Sequence, residues 1–339
     1  MSQSSGTVNL SRRINWLLIL QAWAILWVVI GHANLGEPGQ GPEWENVLYR
    51  FAYSFHMQLF MFISGYLFYC TRLQKPEKWT YFRVIVDKAK RLLVPMVFFM
   101  ALAFLLKGLF PSEMSREASL TPRGVLNAFL YPQDSPLKEM WFIATLFWLF
   151  LLMPFWKVVL KSVYSTAAVA LLLVLCHVWH PEVKLFCIEY VFIYAVYFFL
   201  GIVSSMYRVI VSAVSDNRIL FLLAGIVLYV IGRLYFGLLS ALGGILVSTV
   251  ISLFLDKVWP KAFRSFRDYT YQIFLMGIFA QIAVKILYRH TGIPYVMAFA
   301  LSVAAGIYIP VLVSLLVKRI NFAPLSVCLG LRTEQRQNK

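Results

Sequence analysis

The chain has 339 residues, of which 60% are hydrophobic and only 14% charged. A soluble domain carries about 25% charged residues. The mean hydropathy of +0.73 therefore excludes a soluble enzyme and a disordered tail. In a soluble protein, 31 Lys and Arg against 15 Asp and Glu would suggest nucleic acid. In a membrane protein the same excess is what cytoplasmic loops collect, so no nucleic-acid partner is expected.

A bilayer crossing needs roughly 20 mostly apolar residues. On that spacing the chain reads as an all-α polytopic membrane protein with about ten transmembrane helices. Apolar runs such as 167–175 do not alternate in polarity, unlike the strands of a membrane β-barrel. Residues 1–15 are polar and read as a cytoplasmic N-terminal segment. No small-residue cleavage site follows the first apolar run, so that run is expected to remain as the first span. The expected spans are 16–35, 47–70, 92–110, 140–156, 163–179, 188–206, 219–234, 238–255, 269–287 and 294–317. Together, 16–317 form one transmembrane domain, followed by a basic cytoplasmic tail at 318–339.

The stretch 219–255 is too long for one crossing at ~1.5 Å per residue. Its one charge, Arg233, and the following Gly237 mark the expected hairpin. Most of the 31 basic residues fall on one side of this topology, which makes that side, with both termini, cytoplasmic. The opposite loop 36–46 carries Glu37, Glu43 and Glu45 and no Lys or Arg. Among the cysteines, Cys176 and Cys187 flank one short outer loop and could pair. Burial as small hydrophobes is the more ordinary fate. No metal-ligand spacing is present, so no metal is expected.

Polar side chains inside spans are expensive, which makes each a functional candidate. Span 1 carries Gln21 and His32. Eleven residues at 100° each bring both to one face, ~16 Å apart along the axis. His32 reads either as a neutral imidazole bonded near the headgroups or as a general base. In span 2, His56 and Gln58 precede Ser64-Gly65, a small pair that admits a neighbouring helix or a substrate. His32 and His56 sit at similar depths on successive spans and could share one polar pocket. The basic stretch 71–91 ends in Lys90-Arg91 before Leu92-Leu93-Val94-Pro95. It fits either lipid contact or a phosphate clamp for an anionic cytosolic donor. His177 and His180 have no obvious partner. The Trp and Tyr residues, Trp16, Trp156, Trp179 and Trp259 among them, read as interfacial belts and packing.

Four segments in order resemble the acyltransferase 3 family of bacterial integral-membrane O-acyltransferases. They are Trp23 to His32, Phe55-His56-Met57 through Ile63-Ser64-Gly65-Tyr66, Lys90 to Pro95, and Met140-Trp141-Phe142-Ile143. Tyr197 to Gly201 adds a weaker fifth. Three positions depart from the family pattern. Gln21 stands where the family usually has Arg or Lys, Gln58 replaces a proline, and Gly277 falls where a late histidine is common.

The resemblance implies transfer of an acyl group, probably acetyl from acetyl-CoA as co-substrate, to a hydroxyl of a surface glycan or its lipid-linked precursor. No bound cofactor is implied. His32 and His56 would be catalytic, with His32 as the base. Gln21, Gln58, Ser64, Lys90, Arg91 and Trp141 would contact substrates. The implied partners are membrane lipids, acyl-CoA and the sugar acceptor, and the implied location is the bacterial cytoplasmic (inner) membrane. A component of polysaccharide export that transfers no acyl group is the alternative.

Overall fold

The computed structural model describes residues 5–36, 41–74, 79–109 and 120–331. It is 84% helix, with no strand among the described residues. The described residues form fifteen α-helices, in order: α1 (Ser5–His32), α2 (Glu43–Tyr53), α3 (His56–Phe68), α4 (Tyr81–Leu109), α5 (Pro122–Leu130), α6 (Trp141–Leu151), α7 (Met153–Val159), α8 (Val163–Val178), α9 (Ile188–Met206), α10 (Arg208–Asp216), α11 (Arg218–Tyr235), α12 (Gly237–Val258), α13 (Thr270–His290), α14 (Tyr295–Ile320) and α15 (Ala323–Cys328).

Seven described helical segments are long and apolar enough to cross a bilayer. An eighth crossing appears if α6 and α7, bent by 54°, count as one. The expected spans 47–70, 140–156 and 163–179 fall short for definite reasons. The first is broken into α2 and α3, the second is broken at Leu152, and the third is α8, only 16 residues long. The first break corrects the expectation of one continuous second span. The basic stretch 71–91 is also corrected. α4 begins at Tyr81, so Arg83, Lys88, Lys90 and Arg91 lie on a helix rather than in a loop. Lys75 and Lys78, like Glu37, lie outside the described residues.

The helices divide into two compact units, residues 1–63 with 207–313 and residues 64–206 with 314–339. In the first unit, α1 packs on α2, α12 and α13. Trp23 Nε1 donates to Ser248 Oγ (3.2 Å) and Gln281 Nε2 donates to the Val29 carbonyl (2.8 Å), fastening α12 and α13 to α1. The hairpin expected near Arg233 is present, turning at Phe236 in extended backbone. A Cβ on Gly232 would lie 2.0 Å from the Ser240 backbone nitrogen, and one on Gly243 2.4 Å from that of Tyr229. Such contact between backbones is what small residues permit in membrane helices. The other side of α11 leaves Leu220, Leu223, Val227 and Leu234 exposed, as a lipid-facing surface would.

The absence of a histidine at Gly277 has a steric reason. A Cβ there would come 2.9 Å from the Gly306 carbonyl oxygen, where α13 and α14 approach closely. Glu45, expected in an outer loop, is instead buried in α2 and accepts a hydrogen bond from Tyr295 Oη at the start of α14. Lys285 reaches the Gly36 carbonyl (2.9 Å).

In the second unit, α6 packs between α4 and α9, α8 lies on α9, and α15 on α4. The four cysteines are free thiols, and Cys187 donates to Gln133 Oε1 (2.9 Å) rather than pairing with Cys176. Trp156 and Trp16 are buried, while Trp179 and Trp259 are exposed. The tryptophans thus divide between core packing and the surface.

Candidate active site

In the first unit the break between α2 and α3 builds a cluster of rings. At Ser54 and Phe55 the backbone switches to i→i−3 bonds, onto the Phe51 and Ala52 carbonyls. Side chains complete the end of α2. Ser54 Oγ donates to the Phe51 carbonyl (2.6 Å), and His56 Nδ1 bonds the Ala52 carbonyl (2.5 Å). A carbonyl only accepts, so Nδ1 of His56 carries a proton and donates it to Ala52. The same bond fixes the ring of a side chain that is only 1% exposed.

Tyr53, the last residue of α2, stands between the two histidines. Its ring centroid is 4.9 Å from that of His56 and 5.8 Å from that of His32, edge to face in both cases. Tyr53 Oη lies 3.5 Å from His32 Nδ1, the long limit of a hydrogen bond. Tyr49 packs 4.2 Å from Tyr53 on the same helix. Gly31 makes room for this layer, since a Cβ there would sit 3.1 Å from the Tyr53 ring.

His32 and His56 both contact one tyrosine, Tyr53, a residue that sequence reasoning missed. The signal for Tyr53 was its spacing, three residues before His56. That spacing gains meaning only once the helix break is known.

Gln58, one turn into α3, has its Oε1 buried with no hydrogen bond among the described residues. An acceptor left unpaired in this way is expensive, which keeps Gln58 a candidate for substrate contact. Gln21 is half-exposed on α1, on the His32 face but eleven residues away, and not in the ring cluster.

In the second unit, Gly65 serves packing. A Cβ there would lie 1.9 Å from the Phe198 carbonyl oxygen, so α3 and α9 touch backbone to backbone. Ser64 beside it is half-buried. Lys90 and Arg91 are exposed on α4. Lys88, one turn earlier on the same helix, turns inward instead. Its Nζ lies 3.5 Å from the centroid of Phe150 and 5.5 Å from that of Phe68. A cation on ring faces is held by their quadrupoles. Lys88 and Arg91 are three residues apart, hence ~60° apart around the helix, whereas Lys90 is ~200° from Lys88. Arg72 lays its guanidinium 3.7 Å from the centre of the Trp79 ring. Trp141 opens α6 and packs against Tyr190 (4.8 Å) and Tyr194 (4.9 Å) of α9.

A family model described as an acyltransferase domain, that of acyltransferase 3, matches residues 14–315. The chain belongs to the acyltransferase 3 family. No curated protein and no solved structure matches it. Membership makes the chain an acyltransferase, and its apolar helices make it a multi-pass membrane protein. The match runs from the start of the first apolar run nearly to the end of α14. It therefore takes in the ring cluster, Lys88 and Trp141 alike.

Proposed function

We propose that this acyltransferase 3 protein is an O-acyltransferase of the bacterial cytoplasmic membrane. It moves an acyl group, acetyl in the simplest case, from acyl-CoA to a hydroxyl of a surface glycan or of its lipid-linked precursor. The observation that carries the reading is the His32–Tyr53–His56 cluster, two imidazoles joined through one phenol at a helix break. In this reading the chain crosses the membrane ten times with both termini in the cytoplasm. The broken and short helices supply the crossings beyond those set by length alone. Residues 16–317 act as one catalytic domain, with 1–15 and 318–339 on the cytoplasmic side.

The chemistry follows from tautomers and exposure. In this reading His32 Nδ1 donates to Tyr53 Oη, 3.5 Å away, which leaves Nε2 to accept the proton. His32 is half-buried and open to substrate, whereas His56 is enclosed. His32 Nε2 takes the proton of the acceptor hydroxyl, and the oxygen attacks the thioester carbonyl. The tetrahedral adduct collapses by breaking the C–S bond. The departing CoA sulfur receives the proton from the His32 imidazolium. Tyr53 oxygen accepts from the Nδ1–H of that imidazolium and steadies its charge. His56, locked by Ala52, holds the Tyr53 ring edge and acts as a positioning residue. Gln58 contributes a donor and an acceptor to the acyl donor or the acceptor. Lys88 and Arg91 on one side of α4 take the CoA phosphates, with Lys90 as a weaker outer cation. Gln21 bonds the donor arm without the ~2.5–3.5 kcal/mol insertion penalty of a cation at mid-span.

The test is His32→Ala in reconstituted protein supplied with acetyl-CoA. Acyl transfer should fall by ~10²–10⁴-fold while the protein accumulates normally. Transfer within threefold of the parent would remove His32 from the mechanism. In the same assay Lys88→Met should raise the donor KM about tenfold, and Lys90→Met should leave it near the parent value.

A further inference from the structure

The start of α9 carries a second constellation that acyl transfer as described above does not use. Tyr190, Tyr194 and Tyr197 follow one another at i, i+4 and i+7, which places them along one face of the helix. Their ring centroids are spaced 6.1 Å and 6.2 Å apart in succession. Trp141 of α6 closes one side, tilted 30° to Tyr194, and His177 of α8 meets Tyr197 edge-on at 5.6 Å. Exposure falls along the row, from half-exposed Tyr190 to Tyr197 at 1%. The row descends about 10 Å along the helix axis at the α-helical rise.

None of the three phenol hydroxyls has a hydrogen bond among the described residues. Tyrosines in a packed setting usually find a partner for that group, and none of these three oxygens is among the buried unpaired atoms, so each stays open to one. The wall is also held in shape before any ligand arrives. Phe186 and Cys187, just ahead of α9, adopt left-handed backbone with φ of 44° and 59°. That turn is pinned by Trp148 Nε1, which donates to the Phe186 carbonyl (3.0 Å). His177 Nδ1 donates to the Ile193 carbonyl (2.8 Å), fixing α8 on α9. Glu189, next to Tyr190 in the chain, lies 3.6 Å from His180.

Resting on the acyl-transfer reading, we infer that Trp141, Tyr190, Tyr194 and Tyr197 form the binding wall for a pyranose ring of the acceptor. A sugar offers C–H faces that lie on aromatic rings and a rim of hydroxyls that pair with phenols. An acyl chain would leave the three hydroxyls unpaired. A phosphate would meet the Glu189 carboxylate. A neutral sugar satisfies the phenols and can donate its own hydroxyls to that carboxylate.

The experiment is saturation-transfer NMR on the full chain in lipid nanodiscs. The probes are methyl glycosides of glucose, galactose, mannose, rhamnose and N-acetylglucosamine. Transfer to the ring protons of at least one glycoside is expected. Tyr194→Phe keeps the ring and its packing and should weaken that signal at least threefold. Trp141→Ala should abolish it, and His32→Ala should retain it. Absence of transfer to every glycoside, or equal signals in the parent and Tyr194→Phe, would overturn the inference. Nanodiscs carrying prenyl-diphosphate-linked N-acetylglucosamine decide the source of the sugar. Displacement of the glycoside assigns a lipid-linked acceptor, and no displacement assigns a free glycan. Thiol release from acetyl-CoA in the same preparations separates this inference from the proposed activity. Release without glycoside binding leaves acyl transfer standing and ends the sugar wall. Glycoside binding without release or transfer does the reverse.

Discussion

The helix interruption between α2 and α3 and the one between α6 and α7 differ in what imposes them. The second is written locally. Pro154 has no N–H, so the helical bond to the carbonyl four residues back is missing, and the chain restarts with proline in the first turn of α7. Across the bend, Trp156 folds back and its Nε1 donates to the neighbouring Leu149 carbonyl (2.8 Å). The first interruption contains neither proline nor glycine. Ser54 keeps a right-handed helical conformation, and only the bonding pattern shifts. What holds it is tertiary. Phe55, 1% exposed, is pressed on by α12 at Gly244, where a Cβ would lie 2.5 Å from that of Phe55. Ser54 Oγ also meets Tyr229 Oη of α11 (3.0 Å). A break imposed by proline bends a span. A break imposed by packing can place particular side chains, and this one carries Tyr53 and His56.

If packing sets the first break, filling Gly244 should disturb the site from a helix that carries none of its residues. Gly244→Val forces Phe55 aside, and overpacking of this kind costs about 1–3 kcal/mol. Because Tyr53 and His56 flank Phe55, acyl transfer should fall more than 50-fold in protein that still inserts. Activity within threefold of the parent would show that the break is set locally after all. A smaller effect is expected at the phenol itself. Tyr53→Phe keeps the ring between the histidines and removes the oxygen near His32. Loss of about 1.4 kcal/mol of transition-state stabilisation corresponds to tenfold in kcat, with the donor KM unchanged. An unchanged kcat would reduce Tyr53 to packing.

This difference between the breaks also explains how far the sequence could be read. The apolar runs, the α11–α12 hairpin at Phe236 and His32 and His56 as candidate polar residues within the spans were legible. Each depends on residue type and spacing along the chain. The start of α4 at Tyr81 was not, because the charges of 83–91 hide a helix that continues out of the apolar stretch. Nothing in the sequence sets Lys88 apart from Lys90 and Arg91, since its inward turn onto Phe150 and Phe68 depends on α6 and α3. The partners of His177 and His180 come from the Ile193 carbonyl, the His177 carbonyl and Glu189. These contacts arise only when α8 folds on α9. Tyr53 belongs to the same group, a residue whose role depends on a break that no residue within 47–70 announces.

The smallest effect on activity should come from the proline-imposed break, where one side-chain hydrogen bond spans the bend. Trp156 is fully buried, stacks on Phe199 with ring centroids 5.5 Å apart, and supplies the one side-chain donor found for the Leu149 carbonyl among the described residues. Trp156→Phe keeps an aromatic ring against Phe199 but removes the indole N–H. A buried carbonyl left without its donor costs about 1–3 kcal/mol, and the smaller ring adds a packing defect. The expected result is a lower thermal unfolding midpoint in detergent, with kcat and both KM values within about twofold of the parent. The contrast with Gly244→Val is the point of the measurement. One substitution lowers stability and spares chemistry, whereas the other removes chemistry through a helix that bears no catalytic group. If Trp156→Phe lowered kcat as far as Gly244→Val does, both breaks would be serving the reaction. The distinction between a break that bends a span and one that builds a site would then fail.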